Sequence, residues 1–192
     1  VAEGISMSYP KSFLPWIVFA IVSTQTGRQW SALIGLVLAG GLLALGRGRG
    51  KGWDTLFIEV SATIFFAGLS IWAFSEPGSP ARGYVGALTG LWLALTTWGS
   101  ILARHPFTLG IAKTTVSLEI AATAGFRRVN LVLTTVWAAS FTVADLAEAV
   151  LLHYAPHATA ALVVLKVLGF AVPLSFTVRY PRAVRARAQK AV

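Results

Sequence analysis

The stretch TAALVVLKVLGFAVPLSFTV, residues 159–178, decides the class of this protein. It runs for twenty residues with a single charge, Lys166. A helix of that length rises about 30 Å, the thickness of the hydrocarbon core of a bilayer. The apolar run is continuous, whereas the strands of a membrane barrel alternate apolar with polar residues, so a strand reading fails.

Similar runs lie upstream. They predict helices from Trp30 to Leu45, Thr55 to Phe74, Tyr84 to Ala103 and Val129 to Leu152. A shorter run from Ser12 to Thr24 is bracketed by Lys11 and Arg28 and carries Pro15 in its first turn. The expected fold is all-α: a polytopic transmembrane bundle of about six spans, forming one domain over residues 1–192. Composition agrees, with 56% hydrophobic and 12% charged residues, against about 25% charged in a soluble domain. No Cys is present, which excludes disulfides and thiolate chemistry. No leader with a cleavage site is recognisable, and the opening Val1 fits a trimmed or processed start.

The chain carries 16 basic and 7 acidic residues. In a soluble protein such an excess points to nucleic acid. Here the basic residues fall between apolar runs, so they orient the helices and face anionic head groups. With six crossings, Lys11, Arg47, Arg49, Lys51, Arg104, Lys113, Arg127, Arg128, Arg179, Arg182, Arg185, Arg187 and Lys190 share one side, and Arg28 and Arg82 the other. The positive-inside rule then puts both termini in the cytoplasm of a bacterial-type inner membrane. If the first run does not cross, the spans number five and the N-terminus moves outside. Trp30, Trp72 and Tyr154 fall at the expected outer ends, and Trp53 and Tyr180 at the inner ends, as interfacial anchors do. Trp92, Trp98 and Trp137 lie deeper and are expected to pack between helices.

The segment from Pro106 to Ala124 is too polar to span. Lys113 and Glu119 mix there with Leu109, Ile111, Val116 and Leu118, which suggests an interfacial piece on the cytoplasmic side. Residues 179–192 form a basic cytoplasmic tail. Arg127, Arg128, Arg179, Arg182, Arg185 and Arg187 are the expected contacts with anionic lipid head groups. Ala103 to Pro106 (Ala-Arg-His-Pro) and Val178 to Pro181 (Val-Arg-Tyr-Pro) end two helices alike, which raises the possibility of three repeated hairpins. In that reading, Pro after Arg stops each helix.

Charges inside spans are costly and mark candidate sites. Four occur: Glu59, Asp145, Glu148 and Lys166. Glu59 lies near the cytoplasmic end of its helix, where partial solvation beside Trp53 accounts for it. Asp145 and Glu148 are three apart, hence on one helix face. Lys166 lies at matching depth on the next, antiparallel helix. An ion pair between Lys166 and Asp145 or Glu148 is predicted. One carboxyl group is then in excess and either carries a proton or faces a water-filled cavity. The pair alone would lock two helices together; with the spare carboxyl it would also suit binding or transport. His153 and His157 are separated by Pro156 at a turn, and His105 lies on the opposite side, so neither a metal nor a heme is expected. The glycines Gly46, Gly48, Gly50 and Gly52, interleaved with Arg47, Arg49 and Lys51, match no phosphate-loop spacing and suggest a flexible basic turn. No catalytic constellation is identifiable, and no cofactor is expected.

Arg127-Arg128-Val129-Asn130, then Trp137-Ala138, then Lys166-Val167-Leu168-Gly169 occur in this order over the last third of the chain. This pattern resembles the intracellular septation protein A family of inner-membrane proteins. In that family an Arg-x-Asn segment enters a helix, a Trp-Ala pair follows, and a Lys-Val-Phe-Gly run lies in the final helix. Gly52-Trp53-Asp54 fits the same pattern less closely. Glu148 stands about where the family tends to have Asn, and Leu168 replaces an aromatic. The resemblance implies a non-enzymatic role in septation or envelope maintenance, through contacts with envelope or division proteins or with lipids. The alternative from the residues themselves is a small transporter or substrate-binding membrane subunit.

Overall fold

The computed structural model describes residues 11–23, 27–79, 83–155 and 157–190, with the side chains of 185 and 187–190 left out. Expectations about Thr24, Arg82 and Pro156, and about the side chains of Arg185, Arg187 and Lys190, therefore lie outside the described residues. Regular structure among the described residues is helical: α1 Leu14–Val22, α2 Arg28–Gly48, α3 Phe57–Ser75, α4 Val85–Leu102, α5 Phe107–Lys113, α6 Leu118–Ala122, α7 Ala124–Tyr154 and α8 Thr159–Lys190. Five of these, α2, α3, α4, α7 and α8, are long and apolar enough to cross a membrane. The chain packs as two compact units. The first comprises Val1–Arg82 and Leu109–Ser117, the second Gly83–Thr108 and Leu118–Val192.

Burial follows membrane logic. Ala32, Ala39, Ala62, Ala94 and Ala138 are buried, while Val37, Ile64, Ile71, Leu95, Val143 and Val167 are exposed. Helices in lipid gain little from hiding large apolar side chains, so small residues mark the contacts.

In the first unit, α2 presents Ser31, Ala32, Gly35 and Ala39 as its buried face. Phe66 of α3 lies so close to Gly35 that an added Cβ would sit 2.7 Å from its ring. Trp16 and Phe19 of α1 close over the same ring, with centroids 4.9 and 5.3 Å away. α1 has only nine helical residues, a rise of about 14 Å. Ser12, just before α1, and Gln29, in the first turn of α2, bond to opposite ends of α3. Ser12 Oγ donates to Glu59 Oε1 at 2.7 Å, and Gln29 Nε2 donates to the Ala73 carbonyl at 3.0 Å. Glu59 and Ala73 are separated by about 21 Å of helix rise.

α2 runs to Gly48, past the expected end at Leu45, and Gly50 turns the chain with φ of 75°. This turn is more ordered than its glycines suggest. Arg47 stacks 4.3 Å over the Trp53 ring and donates to the Lys51 carbonyl. Leu109–Ser117 also belongs to this unit. Gly110 lies directly against the backbone of Asp54 and Thr55, and Lys113 Nζ pairs with Asp54 Oδ2 at 3.3 Å.

In the second unit, α4 packs on α7 and α7 on α8. Trp137 is the hub. It is 1% exposed, meets Phe107, Phe141 and Phe170, and donates to Thr177 Oγ1 at 3.0 Å. Thr108 Oγ1 donates to the Asn130 carbonyl and lies 2.8 Å from Thr134 Oγ1. Thr123 caps α7 by accepting from the Phe126 N–H.

Two expectations are corrected here. Arg104 adopts φ of 60° and ends α4 at the first of the two similar motifs, but α8 continues through Pro181 to Lys190. The motifs therefore differ in structure, and the repeat loses its support. A proline removes one helical N–H; the Thr177 carbonyl that Pro181 would leave unbonded is the only backbone acceptor affected there. The segment after Pro106 is not uniformly superficial either. Phe107, Leu109, Ile111 and Ala112 of α5 are buried, whereas Leu118 and Ile120 of α6 are exposed.

Candidate functional site

Three helices of the second unit bring together the charges expected near the outer third of the membrane. Lys166 Nζ of α8 lies 3.2 Å from Glu148 Oε1 of α7. The predicted ion pair thus forms, and Glu148 is its partner. The Glu148 side chain is 8% exposed and that of Lys166 46%. Asp145, three residues before Glu148, forms no ion pair among the described residues, and its Oδ2 is buried without a hydrogen-bond partner among them. Two carboxyl groups thus face one ammonium.

The positions follow from the helices. Asp145 and Glu148 share a face of α7 because three residues nearly complete a turn. Lys166 reaches that face because α7 and α8 pack closely; an added Cβ at Gly169 would lie 3.1 Å from Ala144 Cβ. The third wall is α4, and sequence reasoning missed it. A Cβ at Gly86 would lie 2.5 Å from Lys166 Nζ and 2.7 Å from Glu148 Oε1, and a Cβ at Gly90 would overlap the Asp145 carboxylate. The signal was the Gly-x-x-x-Gly spacing, which lets helices approach closely in lipid. Below this centre, Trp98 Nε1 of α4 donates to Thr142 Oγ1 of α7 at 3.1 Å.

Glu59 belongs to the first unit and not to this centre. The expectation of partial solvation fails: Glu59 is 8% exposed and accepts from Ser12. Its partner Ser12 lies just before α1, and nothing in the pattern of so short an apolar run pointed to that contact.

The expected lipid-contact residues lie at the ends of the long helices. Arg127 and Arg128 are exposed in the first turns of α7, and Arg179 and Arg182 are exposed on α8. His153 meets Tyr154 edge-on at 4.8 Å at the far end of α7. Among the described residues, no group of three or more His, Asp or Glu side chains is placed to hold a metal ion. Comparison of the chain with protein-family models, with curated proteins and with solved structures finds no match.

Proposed function

We propose that the chain is a non-enzymatic, multi-pass protein of a bacterial inner membrane that serves septation or envelope maintenance through lipid and protein contacts. One observation carries this reading: the residues shared with the intracellular septation protein A family are the joints of the second unit. Trp137 ties α7 to α8 through Thr177, Lys166 holds Glu148, and Gly169 admits Ala144, while Asn130 bonds within α7, to the Phe126 carbonyl. Residues that shape a scaffold are those a family sharing an architecture would keep. Deletion of the gene in its own host should lengthen or misshape dividing cells or raise envelope permeability, and the wild-type copy should reverse the change. Normal division and permeability in the deletion strain would sink the proposal.

Six crossings with cytoplasmic termini are part of the same reading. Ser12, before α1, and Gln29, at the start of α2, bond to opposite ends of α3, which supports a first crossing by the stretch between them despite the short helix of α1. The basic residues after α2, α4 and α8 share one side whether or not α1 crosses. Reporter fusions after Gly50 and after Val192 should both report cytoplasm, and one after Gly78 the outside. An external C-terminus would overturn the orientation.

Contacts with anionic lipids at the inner surface follow from the exposed arginines. Each Lys or Arg near such a surface contributes about 1 kcal/mol. Replacing Arg127, Arg128, Arg179 and Arg182 by Gln should reduce retention of anionic lipid during purification and leave the helical content unchanged. Equal lipid selectivity in the variant would count against it.

A second reading, a small transporter or substrate-binding subunit, is favoured by one specific observation: the carboxyl group of Asp145 is in excess over the available ammonium.

A further inference from the structure

The turn between α2 and α3 carries Arg47, Arg49, Lys51 and Asp54, all exposed. Its backbone is closed on itself. The Lys51 N–H donates to the Gly46 carbonyl at 3.1 Å and the Gly50 N–H to the Arg47 carbonyl at 2.9 Å, with Gly50 at φ of 75°. At the base of the turn Gly46 lies against Leu56, which is 1% exposed. Arg47 is held from two sides, by the Trp53 ring at 4.3 Å and by the Lys51 carbonyl at 2.8 Å. Asp54, the one acid on the turn, is paired with Lys113 of α5.

We infer that the turn from Arg47 to Trp53 is a binding site for the phosphate of an anionic phospholipid, with Arg47, Arg49 and Lys51 as its cations. This inference rests on the lipid-contact reading above and adds to it an ordered site in the first unit.

Three considerations support it. The first is charge. A helix C-terminus carries about half a negative charge, and Arg47, in the last turn of α2, offsets it. Lys113 neutralises Asp54, so Arg49 and Lys51 form no ion pair among the described residues. The turn therefore holds a surplus of positive charge that an anion balances. The second is space and donors. A Cβ built at Gly48 or Gly50 meets nothing within 4 Å, so the backbone between the three cations is open. A guanidinium has five N–H donors in a fixed fork, and the Lys51 carbonyl takes one from Arg47. Stacking on Trp53 holds that fork in place before the phosphate arrives, which lowers the cost of ordering it on binding. The third is the apolar rim. Leu45 and Trp53 flank the cations in sequence and are 58% and 61% exposed, at the end of a helix long and apolar enough to cross a membrane. Tryptophan at such an end sits at the level of the head groups. A lipid fits both the cations and the rim, whereas a free anion or a soluble acidic partner leaves the rim unused.

The test titrates the full chain, purified in a non-ionic detergent, with phosphatidylglycerol or phosphatidylcholine. Bound lipids are counted by native mass spectrometry. The titration is run on the wild type and on a chain with Arg127, Arg128, Arg179 and Arg182 replaced by Gln, so that contacts of the second unit do not mask the turn. Phosphatidylglycerol should bind more tightly than phosphatidylcholine. Arg49→Gln with Lys51→Gln should weaken its binding about 25-fold, or about fivefold for each charge near an anionic lipid. Trp53→Leu removes no charge but releases Arg47, and should weaken binding about two- to fivefold. Arg47→Lys keeps the charge without the planar stack and should do the same, which serves if Trp53→Leu fails to fold. Equal affinity for the two lipids overturns the site, as does unchanged binding after Arg49→Gln with Lys51→Gln. Loss with the charges but none with Trp53→Leu or Arg47→Lys assigns a diffuse basic surface and overturns an ordered site. Displacement of phosphatidylglycerol by millimolar inorganic phosphate at fixed ionic strength assigns a free anion and overturns the lipid. If the wild type and the chain with four Gln substitutions bind phosphatidylglycerol alike, the lipid-contact reading of the second unit falls. If that chain loses lipid and the turn variants do not, this site alone falls.

Discussion

Lys166→Met is expected to lower the stability of the folded chain by about 1–3 kcal/mol. Stranding one partner of a fully buried ion pair costs about 3–5 kcal/mol. The figure is reduced here because Lys166 is half exposed and because polar pairs in membranes contribute less than pairs in water-soluble cores. The loss arises from Glu148, which is buried and would keep its carboxylate without a counter-charge. Adding Glu148→Gln should therefore recover much of it. Adding Asp145→Asn should recover less, since Asp145 is not the residue bonded to Lys166. The measurement is a double-mutant cycle on reversible unfolding in detergent or bicelles. Equal recovery by the two second mutations would show that Lys166 serves both carboxylates alike, and zero coupling to Glu148 would contradict the pair.

Gly110→Ala is expected to be at least as damaging, at about 2–3 kcal/mol, near the upper end of the usual cost of overpacking. A Cβ there would strike the carbonyl group of Asp54 and would lie 3.2 Å from Thr55 Cα. Both neighbours are backbone, so no side-chain rotation relieves the clash. Gly41→Ala is the control, because nothing lies within 4 Å of a Cβ there. If Gly110→Ala unfolds at the wild-type midpoint, as Gly41→Ala should, the packing of Leu109–Ser117 on the Asp54 turn is wrong.

The fold class was legible because the apolar runs are long and their charges sit at the ends. The run of residues 159–178 alone forces a helix of membrane length. The boundaries were less legible. α7 begins at Ala124 and α8 extends to Lys190, through stretches whose arginines end the hydrophobic signal without ending the helix. Hydropathy measures contact with lipid, and the backbone continues its hydrogen bonding past that boundary. α5 was missed as a buried element because seven residues holding a Gly and a Lys carry too little periodicity to show which side is covered. Of the site, the sequence supplied Lys166 and two possible acidic partners. Asp145 and Glu148 are less than one turn apart, so selecting between them needs the register of α7 on α8. That register depends on the connection after Tyr154, which no pattern fixes. Gly86 and Gly90 were visible as a spacing, but in a chain with 18 glycines four-residue spacings recur and identify nothing by themselves.

The bond between Glu148 and Lys166 also has a consequence for how the protein is made. Both acidic residues leave the ribosome before the lysine. At roughly 5–20 residues per second, Lys166 follows Glu148 by roughly one to four seconds. During that interval α7 enters the membrane with two carboxyl groups and no counter-charge; lying toward the outer end of α7, each costs less than the roughly 2.5–3.5 kcal/mol of an acidic residue at the centre of a lone helix. α7 is thus a poor passenger by itself, and α8, with one ammonium, is a poor one too. The two enter most readily as a joined hairpin. A message cut short between them would yield an α7 with two acidic groups and no counter-charge, so this single contact is completed only once translation reaches the last helix.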